Sequence, residues 1–424
     1  MSRIRINKMN FSITWFLSVV VALFLGHSTI ATATERYEEP PVLTASAILP
    51  KELMSGPNFQ VEDKVINDGY MNTYRIKSKF ATFRAPSTEL LRIRINEINA
   101  IAVMEKLEET DEFGKSAQKA GGNLAKGFQN LIEQPKETLK GAGTGIKRMF
   151  ERAGESFRSQ RSDAEDSAYK DLIGFSKVKR AYAAEFGVDP YSANPILQEH
   201  LNRVAWSGYS GGIGVTALVS LIPGGAGMVV TATSGTQMLN DLVKTTPPTE
   251  LRKLNREKLL KMGVREDIAK LFINNDVFSP RHQTFLVGAL EEMKGVEDRT
   301  EYITFAIPTD TNELALFRQR MAGMYAGFHQ KIKPIKRFVS MDRFVAAQTT
   351  DDRLVVAVPL DYLVWTQSTA EIVGSLDDHA QTLKDIRGKE LWLAGSISPL
   401  AAESLKRRGW TVAADKEAQL LSSE

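Results

Sequence analysis

The sequence predicts an α+β fold, with a predominantly α-helical middle, a small N-terminal antiparallel sheet and a C-terminal mixed α/β unit. Apolar residues alternate with polar ones between Phe59 and Arg84, which is typical of half-buried strands. From Thr88 to Lys331 the apolar spacing is mostly helical, and after Leu391 short apolar runs flank one capped helix. Hydrophobic residues at 43% and charged residues at 25% are ordinary globular values, so these elements can bury a core.

The first thirty-three residues have the pattern of a secretory signal peptide. Three bases and no acid precede an uncharged apolar run from Phe11 to Gly26, and small residues favour cleavage after Ala33. A helix over this run would rise only about 24 Å, short of the roughly 30 Å hydrocarbon core, so cleavage is favoured over a permanent anchor. We expect export to the periplasm, with the mature protein either soluble or peripheral on a membrane.

Charge and cysteine content exclude several classes of function. The formal net charge is +3, and removal of the three presequence bases brings the mature chain to zero, which argues against a basic nucleic-acid binder. The chain contains no cysteine, so disulfides, thiol catalysis and cysteine-ligated metals are excluded. The histidines are isolated in sequence and form no metal-ligand pair. We therefore predict neither a metal nor a cofactor.

Changes in composition divide the chain into six segments. They are a signal peptide (1–33), an extended lead-in (34–58), a small β-hairpin sheet with a helix (59–112), glycine-rich basic amphipathic helices (113–161), a helical domain (162–331) and a C-terminal α/β unit (332–424).

Turn and cap residues predict where several elements begin and end. Asp68-Gly69 predicts a hairpin turn, and Ser87 predicts the cap of a helix that runs to about Leu107. Ser398-Pro399 predicts the start of the last long helix, and Gly409 predicts its end before a strand.

Segment 113–161 is the strongest functional lead. Apolar residues recur at helical spacing, bases lie opposite them, and the stretch from Gly114 to Arg161 holds ten bases against four acids. This pattern suits an anionic membrane surface and equally suits helices docked on their own domain. The predicted membrane or partner contacts are Lys115, Lys119, Lys126, Phe128, Leu131, Lys140, Lys147 and Phe150.

The uncharged, glycine-rich segment 204–240 has two further interpretations. Its apolar arms are each about ten residues long, roughly half a bilayer, so a buried helix pair is favoured over membrane insertion. Within it, Gly208 to Gly212 matches the Gly-x-Ser-x-Gly pattern of serine hydrolases and makes Ser210 a weak candidate nucleophile. The preceding residues are predicted to be helical, whereas that motif requires a strand, so a turn between helices is favoured. His282, His329 and His379 are the downstream histidines that a nucleophile would need as a base.

Two stretches carry a resemblance to a group of proteins. Leu391 to Pro399, continued by Lys406 to Val412, and the turn from Phe186 to Pro195 are similar to uncharacterised exported proteins of Gram-negative bacteria. The shared features are caps and turns, and the group has no assigned activity. The resemblance implies export and assigns no site residues.

These observations together predict an exported, non-enzymatic envelope protein. It would associate peripherally with an anionic membrane surface or an envelope protein through segment 113–161. The alternatives are a serine hydrolase that uses Ser210 and a membrane-inserting effector that uses segment 204–240. Neither nucleic acid nor metal is expected as a partner, and the sequence leaves the oligomeric state open.

Overall fold

The structure is a computed structural model that describes residues 36–111, 113–114, 163–211 and 234–421. Residues Glu38–Glu424 form one compact unit, and the description below concerns that unit. It combines helices with an antiparallel N-terminal sheet and a mixed C-terminal sheet, which confirms the α+β prediction.

The N-terminal sheet is antiparallel throughout and packs against one long helix. Its strands are β1 (Val42–Thr44), β2 (Ser55–Gly56), β3 (Phe59–Val61), β4 (Lys64–Asn67), β5 (Asn72–Ser78) and β6 (Thr82–Ala85). The predicted Asp68-Gly69 turn joins β4 to β5, where Gly69 has a φ of +102° that favours glycine.

The segment 34–58 differs from the extended lead-in that the sequence predicted. Its described part supplies β1, two short helices, α1 (Ala45–Ile48) and α2 (Lys51–Met54), and β2. Ala45, Leu49 and Leu53 are buried in the core of the N-terminal sheet, although the backbone is extended at Leu49 and Pro50 between the two helices. Three residues are too few to give a clear helical period in sequence.

The middle of the chain is helical, as predicted. Its helices are α3 (Thr88–Glu108), α4 (Asp163–Glu185), α5 (Pro195–Gly211), α6 (Ser234–Thr245), α7 (Pro248–Lys261), α8 (Glu266–Ile273), α9 (Pro280–Glu292), α10 (Arg299–Ala306) and α11 (Asn312–Lys331). The predicted cap of α3 is confirmed, because Ser87 Oγ accepts a 2.9 Å hydrogen bond from Leu90 N.

The C-terminal sheet contains five strands in the order β13-β11-β9-β8-β7. The elements of this region are β7 (Ile335–Met341), β8 (Phe344–Thr349), β9 (Arg353–Val358), β10 (Tyr362–Leu363), α12 (Gln367–Thr382), β11 (Gly388–Leu393), β12 (Ser396–Ile397), α13 (Pro399–Arg407), β13 (Trp410–Ala413) and α14 (Glu417–Leu420). Strands β9, β11 and β13 are parallel, while β7 and β8 form an antiparallel hairpin at one edge. The predicted cap at Ser398 is confirmed, because its Oγ accepts from Ala401 N at 3.1 Å.

Helices cover both faces of this sheet. On one face, Asp377 of α12 accepts a 2.8 Å hydrogen bond from Trp410 Nε1. On the other face, Phe328 of α11 contacts Trp392 with ring centroids 5.2 Å apart. The sheet is therefore buried on both sides, which is the usual environment of parallel strands.

Three sequence predictions differ from the structure in this half of the chain. The apolar pattern of residues 337–347 predicts a single strand, whereas the structure divides these residues between β7 and β8, because the chain turns at Asp342 with a φ of +60°. Aspartate is one of the few residues other than glycine that adopts this conformation readily, but the single residue gives a weak turn signal. Helices α10 and α12 were not predicted, since the first is short and polar residues interrupt the apolar spacing of the second.

The two sheets are joined directly, mainly through the loop after β9. The carboxylate of Asp361 accepts hydrogen bonds from Asn72 N at 2.9 Å and from Thr88 N at 3.0 Å. Backbone bonds from Asp361 and Tyr362 to Tyr70 O reinforce this contact at 3.1 and 3.2 Å. The loop of the C-terminal sheet thus fixes both β5 and the start of α3.

Replacement of Asp361 by alanine is expected to destabilise the fold. Two backbone N–H donors would lose their acceptor, so we expect a loss of about 2–4 kcal/mol in the free energy of unfolding. Chemical denaturation of the variant against the wild type measures this loss. Asp378→Ala on the exposed side of α12 is the control. An equally small effect of both substitutions would contradict the stabilising role of the Asp361 carboxylate.

Candidate ligand-binding cleft

A cleft of about 940 Å³ opens at the carboxyl ends of the parallel strands. Its floor is formed by residues that directly follow the three strands, namely Pro359 to Asp361 after β9, Ala394 to Ser396 after β11, and Asp415 after β13. Ligands of open α/β sheets bind outside this same edge, and small-molecule sites commonly have this volume. Position and size both mark the cleft as a candidate binding site.

The walls of the cleft are largely apolar and come mainly from four other parts of the chain. They are Leu43 and Ile48 from β1 and α1, Met71, Asn72 and Tyr74 at the start of β5, residues 86–90 at the start of α3, and Thr311, Glu313, Leu314, Leu316 and Phe317 at the start of α11. Ile48 is 41% exposed, although it is a large hydrophobic residue. An apolar side chain at such a wall gains contact area when a ligand covers it.

Gly395 allows the loops after β9 and β11 to lie against each other. Its N–H donates to Leu360 O at 2.9 Å, and a Cβ at this position would lie 2.1 Å from Asp361 O. Any larger residue would push the two loops apart. The floor of the cleft therefore depends on a glycine at this position.

Asp361 contributes to the floor but is occupied by backbone groups. Burial raises the pKa of its carboxyl above the ordinary value, while the N–H groups of Asn72 and Thr88 act in the opposite direction. With both oxygens accepting hydrogen bonds, this residue holds the cleft together and has little capacity left for a ligand.

An ion network closes one side of the cleft. The buried guanidinium of Arg320 lies 3.0 Å from Glu89 and also binds Glu417. Arg92 binds both oxygens of Glu417, at 2.8 and 2.9 Å, and contacts Glu89 at 3.0 Å. Burial alone would raise the pKa of Glu417, but the two arginines outweigh it and hold that pKa below its ordinary value. Two acids and two bases thus neutralise one another.

Two further carboxylates line the cleft and have no partner among the residues that the structure describes. Glu313 in the first turn of α11 and Asp415 after β13 are exposed and line the cleft. Asp415 has a φ of +57°, a left-handed conformation that is uncommon outside glycine. Within the described residues, neither carboxylate accepts a hydrogen bond or forms an ion pair. These are the cleft groups that remain available to a ligand.

The predicted contact residues of segment 113–161 lie outside the described residues. This applies to Lys115, Lys119, Lys126, Phe128, Leu131, Lys140, Lys147 and Phe150. Phe113, at the start of the segment, is described and half-buried. It packs against the cluster formed by α3, α4 and α5.

Ser210 lies in the last turn of α5. The residues before it are helical from Pro195, as the sequence predicted, so no strand leads into the Gly-x-Ser-x-Gly pattern. A nucleophile elbow depends on a strand-to-helix turn. The geometry therefore gives no support to a hydrolase site at this serine.

Segment 204–240 is described only at its two ends. Val204 and Ala205 are buried in α5, and Leu239 is buried in α6, whereas residues 212–233 lie outside the described part of the chain. Among the helices that the structure describes, none has both the length and the apolar character needed to cross a bilayer.

None of the three candidate histidines lines the cleft, and two of them form hydrogen bonds within the fold. His329 Nδ1 accepts from Ile335 N at 3.0 Å, and His379 Nδ1 lies 2.8 Å from Ser375 O. His282 differs, because its buried Nδ1 has no hydrogen-bond partner among the described residues. In the same described ranges, no group of histidines and acids is arranged to hold a metal ion.

Sequence reasoning missed the residues that form the cleft. The strand, capped helix and strand from Leu391 to Ala413 predict a β–α–β unit, and the structure confirms that β11 and β13 are parallel. The run from Arg353 to Pro359 also predicts a strand, but nothing in the sequence places that strand, β9, parallel to β11. Acids placed just after successive buried strands are the signal that could have found Asp361 and Asp415. Carboxyl ends of parallel strands meet at one edge of a sheet, which brings such residues together.

The stability of the fold should fall on acidification because of His282. Burial first and the charge of Arg281 second lower its pKa from 6.5 to about 4. The folded state therefore binds fewer protons than the unfolded state between these values, so stability is complete above pH 6.5 and falls as the pH drops toward 4. We expect His282→Phe to lose less stability over this range, by on the order of 2 kcal/mol. Urea denaturation at several pH values measures this, and His379→Phe is the control. Parallel pH profiles for wild type and His282→Phe would contradict the assignment.

Comparison with known proteins leaves the cleft as the main guide to function. The chain matches no protein-family model, and no curated protein or solved structure shows significant similarity to it. The geometry and chemistry of the cleft residues are therefore the basis for proposing a function.

Proposed function

We propose that this chain is an exported, non-enzymatic envelope protein that binds a ligand in the cleft above its C-terminal sheet. One observation carries the proposal: the loops after three parallel strands meet the N-terminal sheet around a space of about 940 Å³. Such a junction of apolar walls with a few polar groups is typical of small-molecule sites. The signal-like residues 1–33 support the exported, periplasmic location.

The state of the polar groups favours binding over catalysis. Glu89 and Glu417 are held by arginines, and Asp361 is held by backbone N–H groups. Among the carboxylates of the described lining, only Glu313 and Asp415 are free to exchange a proton, and no histidine or lysine lines the cleft to act beside them. Both carboxylates are exposed, whereas carboxylates that act in general acid–base catalysis are usually tuned by burial and by neighbouring groups.

Peripheral attachment to an anionic membrane through segment 113–161 is the second part of the proposal. Helices α3 and α5 run parallel, because Glu97 binds Asn194 at the start of α5 and Glu108 binds Arg203 further along it. Helix α4 runs antiparallel to α5, and Gly174 of α4 packs against Tyr209 near the end of α5.

This arrangement places the ends of three helices on the same side of the helical cluster. The end of α3, the start of α4 and the end of α5 lie at one end of the helical cluster, and they adjoin segments 115–162 and 212–233. The basic and the uncharged segment therefore leave the described fold at a shared end. That common origin favours one surface to which both could contribute.

The cleft and this shared end lie at opposite ends of α3. The first turn of α3 lines the cleft, and its 21 residues rise by about 31 Å. Attachment at the far end would leave the cleft accessible. The two parts of the proposal are therefore compatible.

Membrane attachment predicts a charge-dependent affinity for anionic vesicles. Replacement of Lys115, Lys119, Lys126, Lys140 and Lys147 by glutamine should weaken co-sedimentation with phosphatidylglycerol vesicles at least about tenfold, since each lysine near an anionic surface contributes about 1 kcal/mol. The control replaces the same number of exposed lysines elsewhere: Lys51, Lys64, Lys261, Lys270 and Lys336. Unchanged binding by the first variant, or equal losses in both, would contradict attachment through segment 113–161.

Ligand binding predicts that a neutral amphiphile enters the cleft. Decyl maltoside, below its critical micelle concentration, should bind in isothermal titration calorimetry. Ile48→Asn should weaken that binding about threefold to tenfold, because burial of one apolar side chain contributes on the order of 1 kcal/mol. Ile66→Asn is the matched control, since Ile66 is a comparably exposed isoleucine (54%) in β4 of the N-terminal sheet and does not line the cleft. An absence of binding, or an equal effect of both substitutions, would contradict this role.

A further inference from the structure

From the charges at the cleft, we infer that its ligand is a small organic cation with an apolar body. This inference rests on the proposed binding function and specifies the class of ligand. Some charges at the cleft are neutralised by partners within the protein, and the remaining ones determine which ligand charge is favoured.

The described lining contains five acids and one base. The acids are Glu89, Glu313, Asp361, Asp415 and Glu417, and the base is Arg320. Arg320 is buried and held by Glu89 and Glu417, so its charge is not offered to a ligand. Arg92 completes that network from outside the cleft and balances the second of these glutamates.

The charge that remains at the cleft is negative. Glu313 and Asp415 are exposed and have no partner in the part of the chain that the structure describes. Two unpaired carboxylates beside apolar walls repel an anionic ligand and attract a cation. They come from different elements, the first turn of α11 and the loop after β13, and both line the cleft.

The remaining lining specifies the body of the ligand. Leu43, Ile48, Leu314 and Phe317 supply apolar surface around the opening. A volume of about 940 Å³ suits a molecule of small-drug size, whereas a protein partner requires a much larger interface. An ammonium group on an alkyl or aromatic body meets both requirements.

The test compares three probes that share one alkyl chain. Decyltrimethylammonium, decyl maltoside and decyl sulfate are titrated into the full chain by calorimetry, each below its critical micelle concentration. We expect the cation to bind about tenfold more tightly than the sulfate, equivalent to about 1.4 kcal/mol. This preference should decrease as sodium chloride is raised, because salt screens exposed charges.

Substitutions at the two carboxylates locate the effect. The double variant Glu313→Gln with Asp415→Asn should remove the preference for the cation and leave decyl maltoside binding intact. Asp342→Asn is the control, because Asp342 is also exposed and left-handed, with a φ of +60°, but lies outside the cleft. Asparagine tolerates this backbone conformation, so both substitutions should preserve the fold.

The outcomes separate this inference from the function on which it rests. Equal affinities for the three probes, or tighter binding of decyl sulfate, would overturn the cationic ligand and leave the cleft as a binding site. Binding of none of the probes would overturn the cleft function itself. A preference for the cation that survives in the double variant would show that the recognising charges lie elsewhere and would also overturn the inference.

Discussion

The carboxylate of Asp361 is the contact on which the rest of the structure depends. It follows a strand of the C-terminal sheet and accepts N–H groups from β5 and from the start of α3, which belong to the N-terminal part. Glu38 adds a second connection, since it accepts hydrogen bonds from Trp365 N and from Ser398. Because these groups are distant in sequence, their pairing turns apparently separate β-rich ends into a single unit. The residues of this junction, Asp361, Asn72 and Thr88, also line the cleft.

Ion pairs within the protein determine which charges at the cleft a ligand can meet. Arg320 is buried, and an unpaired guanidinium there would carry a large desolvation cost, so two glutamates hold it. The close packing of α14 on α11 permits this, because Gly327 leaves room for the carbonyl of Leu420, which would lie 1.8 Å from a Cβ. Because those acids are paired and Asp361 accepts backbone hydrogen bonds, Glu313 and Asp415 are the unpaired acids among the described residues that line the cleft. A count of acids and bases in the lining would have overstated the negative charge, whereas the pairing shows what a ligand meets.

Sequence patterns predicted local structure well and the site poorly, for a physical reason. Helix α11, the cap at Ser87, the cap at Ser398 and the turn at Gly69 depend on interactions within a few residues, so their signals are visible in sequence. The hairpin at Asp342 was missed because one left-handed aspartate leaves almost no pattern. Asp361 and Asp415 were missed because their proximity depends on the parallel pairing of β9 with β11, which is a long-range property. The predicted contacts of segment 113–161 remain predictions, since they lie outside the described residues.

The position of α3 gives the proposed functions a common mechanical basis. Its first turn forms part of the cleft and is fixed by Asp361, while its last turn contacts α5 through Glu108. Its buried side chains Leu91 and Ile95 belong to the core of the N-terminal sheet, and Ile101 and Met104 belong to the helical cluster. Because this helix is packed along its whole length, its two ends keep a fixed orientation relative to each other. Attachment at the shared end of α3, α4 and α5 would therefore set the direction in which the cleft faces, and a cationic amphiphile could reach it from the aqueous side of an anionic surface.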